Sequence, residues 1–332
     1  MAKYKYNKNL FEKLLGASQY KLIYNIMPNH LQACGYSDIE WVGDNLYAHG
    51  NVPVMLVAHA DIVGTDYPTE FIYATKGGKT TIKANKRTLG GDDRCGLYIM
   101  LEAMEKLNVR PYICVTHDEE KGCIGASEFV TRMPYNENEI KFMIELDRRG
   151  SNDLVFYDST SNTEFVEFCE KGTGWKEAYG SFSDICEFME SWKICGVNMS
   201  CGYYREHTSE EYVVIDEMLN TVKTLVRWLN NMDYDTLERF EFIPLPSKYW
   251  GNWGVNGGLY EDYDYLYDDL YDVDGDDDTV LHEGVEYTLC ADCGALVPMS
   301  QDRKKFGIPL CDDCMNYYED LANPNRVKRK DF

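Results

Sequence analysis

Residues 52–61 read VPVMLVAHAD, an apolar and β-branched run that ends just before His59. A short run of this kind, followed by polar residues, is typical of a buried strand. Apolar runs at residues 112–115 and 142–145 repeat the pattern, and each leads into acidic residues. We therefore expect buried strands with ionisable side chains at their carboxyl ends.

Segments with helical spacing alternate with these strands. Apolar residues recur at that spacing in GLYIMLEAMEKL after Asp92, from Glu128 onwards and over residues 216–230. Strands that alternate with helices predict an α/β fold, in which a mostly parallel, mixed sheet carries helices on both faces. In such sheets, ligands bind beyond the carboxyl ends of the strands.

The composition is that of a globular protein. The chain has 332 residues, 44% of them hydrophobic, enough for one α/β domain and a smaller unit. No apolar run approaches the roughly 20 residues of a membrane-spanning helix, and the first residues do not resemble an export signal, so we expect a cytoplasmic protein. The net charge of −23 argues against nucleic acid as a partner, because binding to phosphates rests on basic surface.

The twelve cysteines fall into two groups. Eight are scattered without paired spacing, which indicates free buried thiols. The other four form two Cys-x-x-Cys pairs, CADC and CDDC, separated by seventeen residues. This spacing is typical of a zinc ribbon in which four thiolates hold one structural Zn²⁺. The predicted ligands are Cys290, Cys293, Cys311 and Cys314.

These patterns divide the chain into three parts. We expect the α/β domain over residues 1–243, an acidic, tyrosine-rich linker over 244–280 and the zinc ribbon over 281–332. The tyrosines leave open that the linker packs onto the domain as an edge strand or helix. We expect the ribbon to contact a protein partner or a second copy of the chain.

Polar residues after the first strand begin the candidate site. His59 and Asp61 stand two positions apart, so the carboxylate is placed to accept one ring N–H while the other ring nitrogen binds a metal. By itself this pair is weak evidence, because a His-x-Asp pair in a loop is usually solvent-exposed.

A glycine-rich turn, LGGDDRCG at residues 89–96, precedes a helix. A carboxylate at such a turn is suited to bridge two cations about 3.5–4 Å apart. A simple acidic helix cap is the alternative. From the residues alone, Asp92 and Asp93 fit both interpretations.

Two adjacent carboxylates follow the next strand, in ICVTHDEEKGCIGA at residues 113–126. Glu119 and Glu120 permit a division of labour in which one binds metal and the other moves a proton between the attacking water and the leaving amine. The alternative is a charged surface loop.

Two further positions complete the set. Asp147 ends the strand in MIELDRRG, and His207 precedes a new helix in EHTSEEYV. The glutamates after the histidine, Glu210 and Glu211, are expected only to begin that helix. Metal-ligating side chains at five separate strand ends are unlikely to arise by coincidence, so together they predict a metal site.

In order, the blocks AHADIV, GGDDRCG, DEEKGCIGA, ELD and EHTSEEYV resemble the motifs of the co-catalytic zinc exopeptidases, the clan of peptidase T, carboxypeptidase G and the leucyl aminopeptidases. The resemblance covers about residues 40–230. The ligands that it implies are His59 and Asp147 for one ion, Glu120 and His207 for the other, and Asp92 as the bridge.

The resemblance also implies roles around the ions. Asp61 would orient His59, Glu119 would be the general acid/base, and Asp92 is favoured over Asp93 as the bridge. The implied cofactors are two divalent ions, zinc or else manganese or cobalt, because oxygen and imidazole ligands suit all three.

One departure from the clan concerns substrate contacts. Relatives of peptidase T insert a lid or dimerisation domain between the fourth and fifth ligands, and the fifty-nine residues between Asp147 and His207 leave no room for it. A lidless domain leaves nearby residues to contact the substrate. Tyr203, Tyr204 and Arg205 are the candidates, and packing is the alternative for the two tyrosines.

Three functions fit these residues. The first is an exopeptidase, an aminopeptidase or di/tripeptidase that acts on short peptides. The second is an N-acyl amino acid deacylase, because the same metal pair cleaves that amide equally well. The third is a non-catalytic scaffold that binds a protein through its ribbon. An enzyme is favoured because Glu119 and every implied ligand are present.

Overall fold

The computed structural model describes residues 4–64, 67–136, 139–180 and 182–243, and three short strands between residues 280 and 298. The chain divides into two compact units, Met1–Pro244 and Leu245–Phe332. Residues 244–279 and the four predicted zinc ligands lie outside the described residues, so the linker and the zinc ribbon remain predictions.

Strands of the first unit form two sheets. They are β1 (Ile39–Val42), β2 (Asn45–Ala48), β3 (Val52–His59), β4 (Phe71–Lys76), β5 (Lys79–Ala84), β6 (Pro111–Thr116), β7 (Phe142–Arg148), β8 (Asp153–Val155), β9 (Lys176–Glu177), β10 (Gly196–Ser200), β11 (Tyr203–Tyr204) and β12 (Tyr212–Val214).

The larger sheet has eight strands in the order β1-β2-β6-β3-β7-β10-β8-β9. Its centre is parallel, since β6, β3, β7 and β10 run in one direction. Towards the edges, β2 pairs antiparallel with β1 and β6, and β8 pairs antiparallel with β10 but parallel with β9. Central strands are buried on both faces, which explains the nearly continuous apolar sequence of β3. The predicted α/β fold with a mixed sheet is confirmed.

A second sheet was not predicted from the sequence. Its four strands are antiparallel, in the order β11-β12-β5-β4. The connection from β11 to β12 spans residues 205–211 and therefore carries His207. This sheet brings the fifth candidate ligand to the edge of the larger sheet.

Helices cover the sheets. Within the first unit they are α1 (Lys8–Leu15), α2 (Gln19–Lys21), α3 (Met27–Ala33), α4 (Gly91–Met104), α5 (Ile124–Arg132), α6 (Thr163–Thr173), α7 (Asp184–Trp192) and α8 (Ile215–Asn230). Every residue of α4 is buried, because this helix contacts β3, β7, α1 and α8. From Cys95 to Met104 the enclosed helix has one charged residue, Glu102, whereas its first turn contains buried charged residues. Among the described residues, no helix is long and apolar enough to cross a bilayer.

Two aromatic clusters mark the core. Phe142 of β7 packs against Phe165, Phe168 and Trp228, which come from α6 and α8. In the second cluster, Phe129 of α5 packs against rings of β2 and α7. The eight scattered cysteines are free thiols, six of them buried and two half-buried.

The segment between Asp147 and His207 builds α6, α7 and short strands of the first unit. Where that segment is described, it forms no separate lid unit. The structure therefore agrees with the lidless architecture.

The second unit contributes the strands β13 (Val280–His282), β14 (Val285–Leu289) and β15 (Leu296–Pro298). They pair antiparallel in sequence order.

Candidate metal centre

Asp92 lies between two histidines. Its Oδ1 atom is 3.0 Å from Nε2 of His59, and its Oδ2 atom is 3.2 Å from Nε2 of His207. The aspartate begins α4, whereas His59 ends β3 and His207 lies between β11 and β12. Each oxygen of one buried carboxylate thus faces a different imidazole, which is the geometry of a bridging ligand.

Two further carboxylates stand beside the histidines. Asp147 Oδ1 lies 3.6 Å from Nε2 of His59, and Glu120 Oε1 lies 3.0 Å from Nε2 of His207. Asp147 comes from the end of β7 and Glu120 from a 3-10 turn after β6. The structure therefore brings together all five ligands that the sequence predicted.

Asp93 is also near this centre, and its ligand atoms group with those of His59 and Asp147 within 4.8 Å. Both of its oxygens, however, accept backbone N–H groups: Oδ1 from Gly96 at 2.9 Å and Oδ2 from His59 at 3.2 Å. These bonds tie the start of α4 to the end of β3. Because both oxygens of Asp92 face imidazoles instead, Asp92 has the better geometry for a bridge.

Asp61 connects both halves of the centre. Its Oδ1 atom accepts a hydrogen bond from Nδ1 of His59 at 3.2 Å and another from the Glu119 amide at 3.0 Å. Its Oδ2 atom accepts from the Glu120 amide at 3.1 Å. The side chain therefore contacts the imidazole, which its predicted orienting role requires, and it also accepts hydrogen bonds from the backbone of the two adjacent glutamates, which the sequence did not indicate.

Glu119 is part-buried in the same 3-10 turn, beside Cys123. The Cys123 thiol donates to its Oε1 atom at 3.7 Å. Burial raises the pKa of Glu119 well above its ordinary value; His59 opposes the increase, and Asp147 adds to it. A carboxyl group with a raised pKa is suited to hold and release a proton near neutral pH.

The ligand carboxylates repel one another. Burial raises the pKa of Asp147 to about 7, and the charge of Asp92 adds to the increase. Asp92 itself has a pKa below its ordinary value, because its hydrogen bonds to His207 and His59 outweigh its burial. Burial alone would lower the pKa of His59, but the surrounding carboxylates, Asp147 first, raise it well above its ordinary value.

The donor set fits divalent metal ions. Nδ1 of His59 already donates to Asp61, so Nε2 faces Asp92 as a donor only if the ring is a cation. A metal ion between Nε2 and the carboxylate oxygens would remove this requirement and balance the clustered negative charge. Imidazole nitrogen and carboxylate oxygen suit zinc, manganese or cobalt.

Hydrogen bonds position Asp147 from three sides. Ser183 Oγ donates to its Oδ2 atom at 3.0 Å, and its amide donates to Asn198 Oδ1 at 2.9 Å. The Tyr203 hydroxyl lies 3.1 Å from Oδ1 and 3.0 Å from the carbonyl oxygen of Asp147. Neither Ser183 nor Asn198 was singled out from the sequence, because their proximity to Asp147 depends on the pairing of distant segments.

The three candidate substrate contacts have different environments. Tyr203 is buried against Asp147, and the Tyr204 hydroxyl donates to Glu217 at 2.5 Å while its ring stacks on Tyr212. Arg205 is exposed and has a positive φ of 56°. Of the three side chains, only Arg205 is exposed to solvent. The two tyrosines pack against other residues, which was the alternative to a contact with substrate.

Two more acids lie buried behind the centre. Glu145 Oε1 accepts from the Ile185 amide at 3.0 Å, and Asp184 Oδ2 accepts from the Thr116 hydroxyl. Among the described residues, Glu145 Oε2 and Asp184 Oδ1 have no hydrogen-bond partner. Burial raises the pKa of Asp184 to about 6. Burial likewise raises the pKa of Glu145 well above its ordinary value.

The prediction for Glu211 is wrong. Helix α8 begins at Ile215, and Glu211 is instead fully buried, where its carboxylate accepts hydrogen bonds from the turn before α4. The signal that indicates this is the run Tyr-Val-Val after Glu211, which favours a strand over a helix start. Glu210 is exposed, with Lys83 Nζ 3.8 Å away.

A comparison with protein-family models finds a family of peptidases. Residues 41–171 match the model of peptidase family M28, a segment that contains four of the five candidate ligands and Glu119. A comparison with curated protein sequences finds no match.

Solved structures share the fold. A tripeptidase from Staphylococcus aureus is similar with a TM-score of 0.54 and 14% identity, over 67% of this chain and 96% of that one. The aminopeptidase PepT from Bacillus cereus has a TM-score of 0.52 and 16% identity, over 67% and 97%. An aminopeptidase from the archaeon Desulfurococcus kamchatkensis has a TM-score of 0.52 and 12% identity, over 68% and 95%.

The family match indicates a peptidase, and the similarity to solved structures shows the fold. The chain is a metallopeptidase that has the fold of these aminopeptidases, and its residues 41–171 resemble peptidase family M28.

Proposed function

We propose that the protein is an exopeptidase that releases residues from short peptides with the help of two divalent metal ions. The observation that carries the proposal is the placement of Asp92, whose two oxygens face two different imidazoles at 3.0 and 3.2 Å. The proposed ligands are His59 and Asp147 for one ion, Glu120 and His207 for the other, and Asp92 for both.

Two bound ions would supply a water of lowered pKa and positive charge near the scissile carbonyl. The residues of the chain then have separate tasks. Glu119 takes a proton from the water as its oxygen attacks the carbonyl carbon, and it gives that proton to the amine nitrogen when the C–N bond breaks. Asp61 holds Glu119 and Glu120 in place through their amides, at 3.0 and 3.1 Å.

The ion in this centre is proposed to be zinc, with manganese and cobalt as alternatives. We further propose a structural zinc on the four carboxy-terminal cysteines, and a role for that ribbon in contacts with a protein partner or a second copy of the chain. The free thiols of the first unit fit a reducing compartment such as the cytoplasm.

Amine release tests the proposal. The metal-stripped protein is reconstituted with zinc, manganese or cobalt and incubated separately with pools of di- and tripeptides and of N-acyl amino acids. Glu119→Gln tests the acid/base role, and Glu70→Gln, which changes an exposed glutamate in the same way, is the matched control.

We expect release from the peptide pool by the wild type and by Glu70→Gln, and a loss of most turnover in Glu119→Gln with metal binding intact. Release from the N-acyl pool alone would replace the exopeptidase with a deacylase. If no metal supports release from either pool, the non-catalytic scaffold is favoured. An unchanged rate in Glu119→Gln would refute the acid/base role of Glu119.

A further inference from the structure

A carboxylate outside the ligand set accepts hydrogen bonds from the turn that contains Asp92. Glu211 Oε2 accepts hydrogen bonds from the amides of Leu89 and Gly90, both at 2.8 Å, and its Oε1 atom accepts from the amide of Asp92 at 3.1 Å. We name these three bonds the Glu211 clamp. They join residues more than a hundred positions apart, so they connect two separate parts of the fold.

The clamp is enclosed by protein. Glu211 has no exposed surface, and an unpaired carboxylate in such a place would be strongly destabilising. Three N–H donors converging on one carboxylate compensate for that cost, and hydrogen bonds to charged groups are stronger than neutral ones. Their geometry is therefore held firmly.

The turn is shaped for this carboxylate. Gly90 has a φ of +75°, which side chains other than glycine rarely adopt, and a Cβ atom there would meet Ile62. At Gly91, an added Cβ atom would lie 3.0 Å from Glu211 Oε1 and 2.9 Å from Val213. Two consecutive glycines thus let the backbone wrap around the acid.

The segment that supplies the clamp also supplies a candidate ligand. His207 lies four positions before Glu211, in the connection between β11 and β12, and its Nε2 atom faces Asp92 Oδ2 at 3.2 Å. Asp92 is therefore held to one segment twice, through its backbone by Glu211 and through its side chain toward His207. A shift of either contact would change the distance between the Asp92 carboxylate and the ion proposed beside His207.

We propose that Glu211 is a positioning residue that fixes the bridging carboxylate and thereby sets the affinity for the ion between Asp92, Glu120 and His207. This inference rests on the proposed two-metal function. It goes beyond that function by assigning metal affinity to a residue that contacts no ion.

Cobalt titration of the full-length, metal-stripped chain tests the clamp. Thiolate charge-transfer bands in the near ultraviolet report cobalt on cysteines, and cobalt that binds without increasing these bands is assigned to oxygen and nitrogen ligands, so the two kinds of site are followed separately. The variants are Glu211→Gln, which keeps the size of the side chain, and Gly91→Ala, which crowds the clamp and keeps the acid. Glu210→Gln is the matched control, because its glutamate is adjacent in sequence and exposed.

We expect the wild type and Glu210→Gln to bind two ions on oxygen and nitrogen ligands. Glu211→Gln and Gly91→Ala should each bind one of the two about 10- to 100-fold more weakly, the range for residues that orient metal ligands. Thermal unfolding in the presence of a chelator measures the stability of each metal-free variant. This measurement distinguishes a loss of metal affinity from a general loss of stability.

Unchanged cobalt affinity in both variants, whether or not their melting temperature falls, would overturn the clamp and leave the two-metal function standing. Failure of the wild type to bind two such ions would overturn the proposed function and the clamp together. If Glu211→Gln does not fold, Gly91→Ala decides the outcome.

Discussion

Replacing Asp61 with Asn changes one atom of a buried side chain on which three groups of the centre depend. Oδ1 accepts from Nδ1 of His59 and from the Glu119 amide, whereas Oδ2 accepts from the Glu120 amide alone. The asparagine oxygen retains most contacts in the Oδ1 position. Its NH2 group then faces the Glu120 amide, and two donors oppose each other.

The magnitude follows from this count. One hydrogen bond to a charged acceptor is lost, which costs about 1.5–3 kcal/mol. At 1.36 kcal/mol per factor of ten, this loss corresponds to a decrease of roughly 10- to 150-fold in kcat/KM or in zinc affinity. Asp61→Ala removes all three bonds, so its decrease should be larger than that of Asp61→Asn.

The assay is kcat/KM for the peptide that reacts best, together with zinc affinity measured by competition with a chelator. Asp38→Asn is the matched control, because it makes the same chemical change at an exposed position. An Asp61→Asn protein within about twofold of the wild type in both quantities would refute the hydrogen-bond argument.

Three more outcomes are expected. Tyr203→Phe removes a hydroxyl that lies 3.1 Å from the Asp147 carboxylate, and kcat/KM should fall roughly tenfold in steady-state assays; an unchanged value would show that this bond does not position the ligand. Gly96→Ala places a methyl group against the Leu146 carbonyl and should destabilise the chain by about 1–3 kcal/mol in urea unfolding; a neutral substitution would contradict the close packing of α4 on β7. The third outcome concerns pH. Burial raises the pKa of Asp147 to about 7, and the charge of Asp92 adds to the increase. The folded, metal-free chain therefore keeps a proton on Asp147 that the unfolded chain loses above about pH 4. Metal-free stability should therefore fall as pH rises through about 7, and the increase in melting temperature on adding zinc should grow between about pH 5.5 and pH 8, which calorimetry measures; an increase that is constant over this range would contradict the shift.

Much of the site could be predicted because its ligands follow the apolar runs of a parallel sheet. The runs that became β3, β6 and β7 are recognisable from composition alone, and parallel strands bring their carboxyl ends to one edge. His59, Glu120 and Asp147 were therefore expected near one another before any contact was known.

The second sheet could not be predicted in the same way. β5 reads KTTIKA, in which only Ile82 and Ala84 are fully buried, and β11 is two residues long. Such strands exist because of their pairing with distant segments, and local sequence contains little of that information. The buried role of Glu211 depends on the same pairing.

Asp92 and Asp93 show a different limit. The two residues are identical and adjacent, so no pattern of composition or spacing distinguishes them. Their roles separate only when the backbone directs one carboxylate to two imidazoles and the other to the amides of His59 and Gly96.

Anomalous diffraction from crystals of the zinc-loaded protein tests the central claim most directly. The two-metal account predicts two zinc peaks about 3.5–4 Å apart. One should lie beside His59 and Asp147, the other beside Glu120 and His207, with Asp92 bound to both. A single peak, or none among these residues, would contradict it.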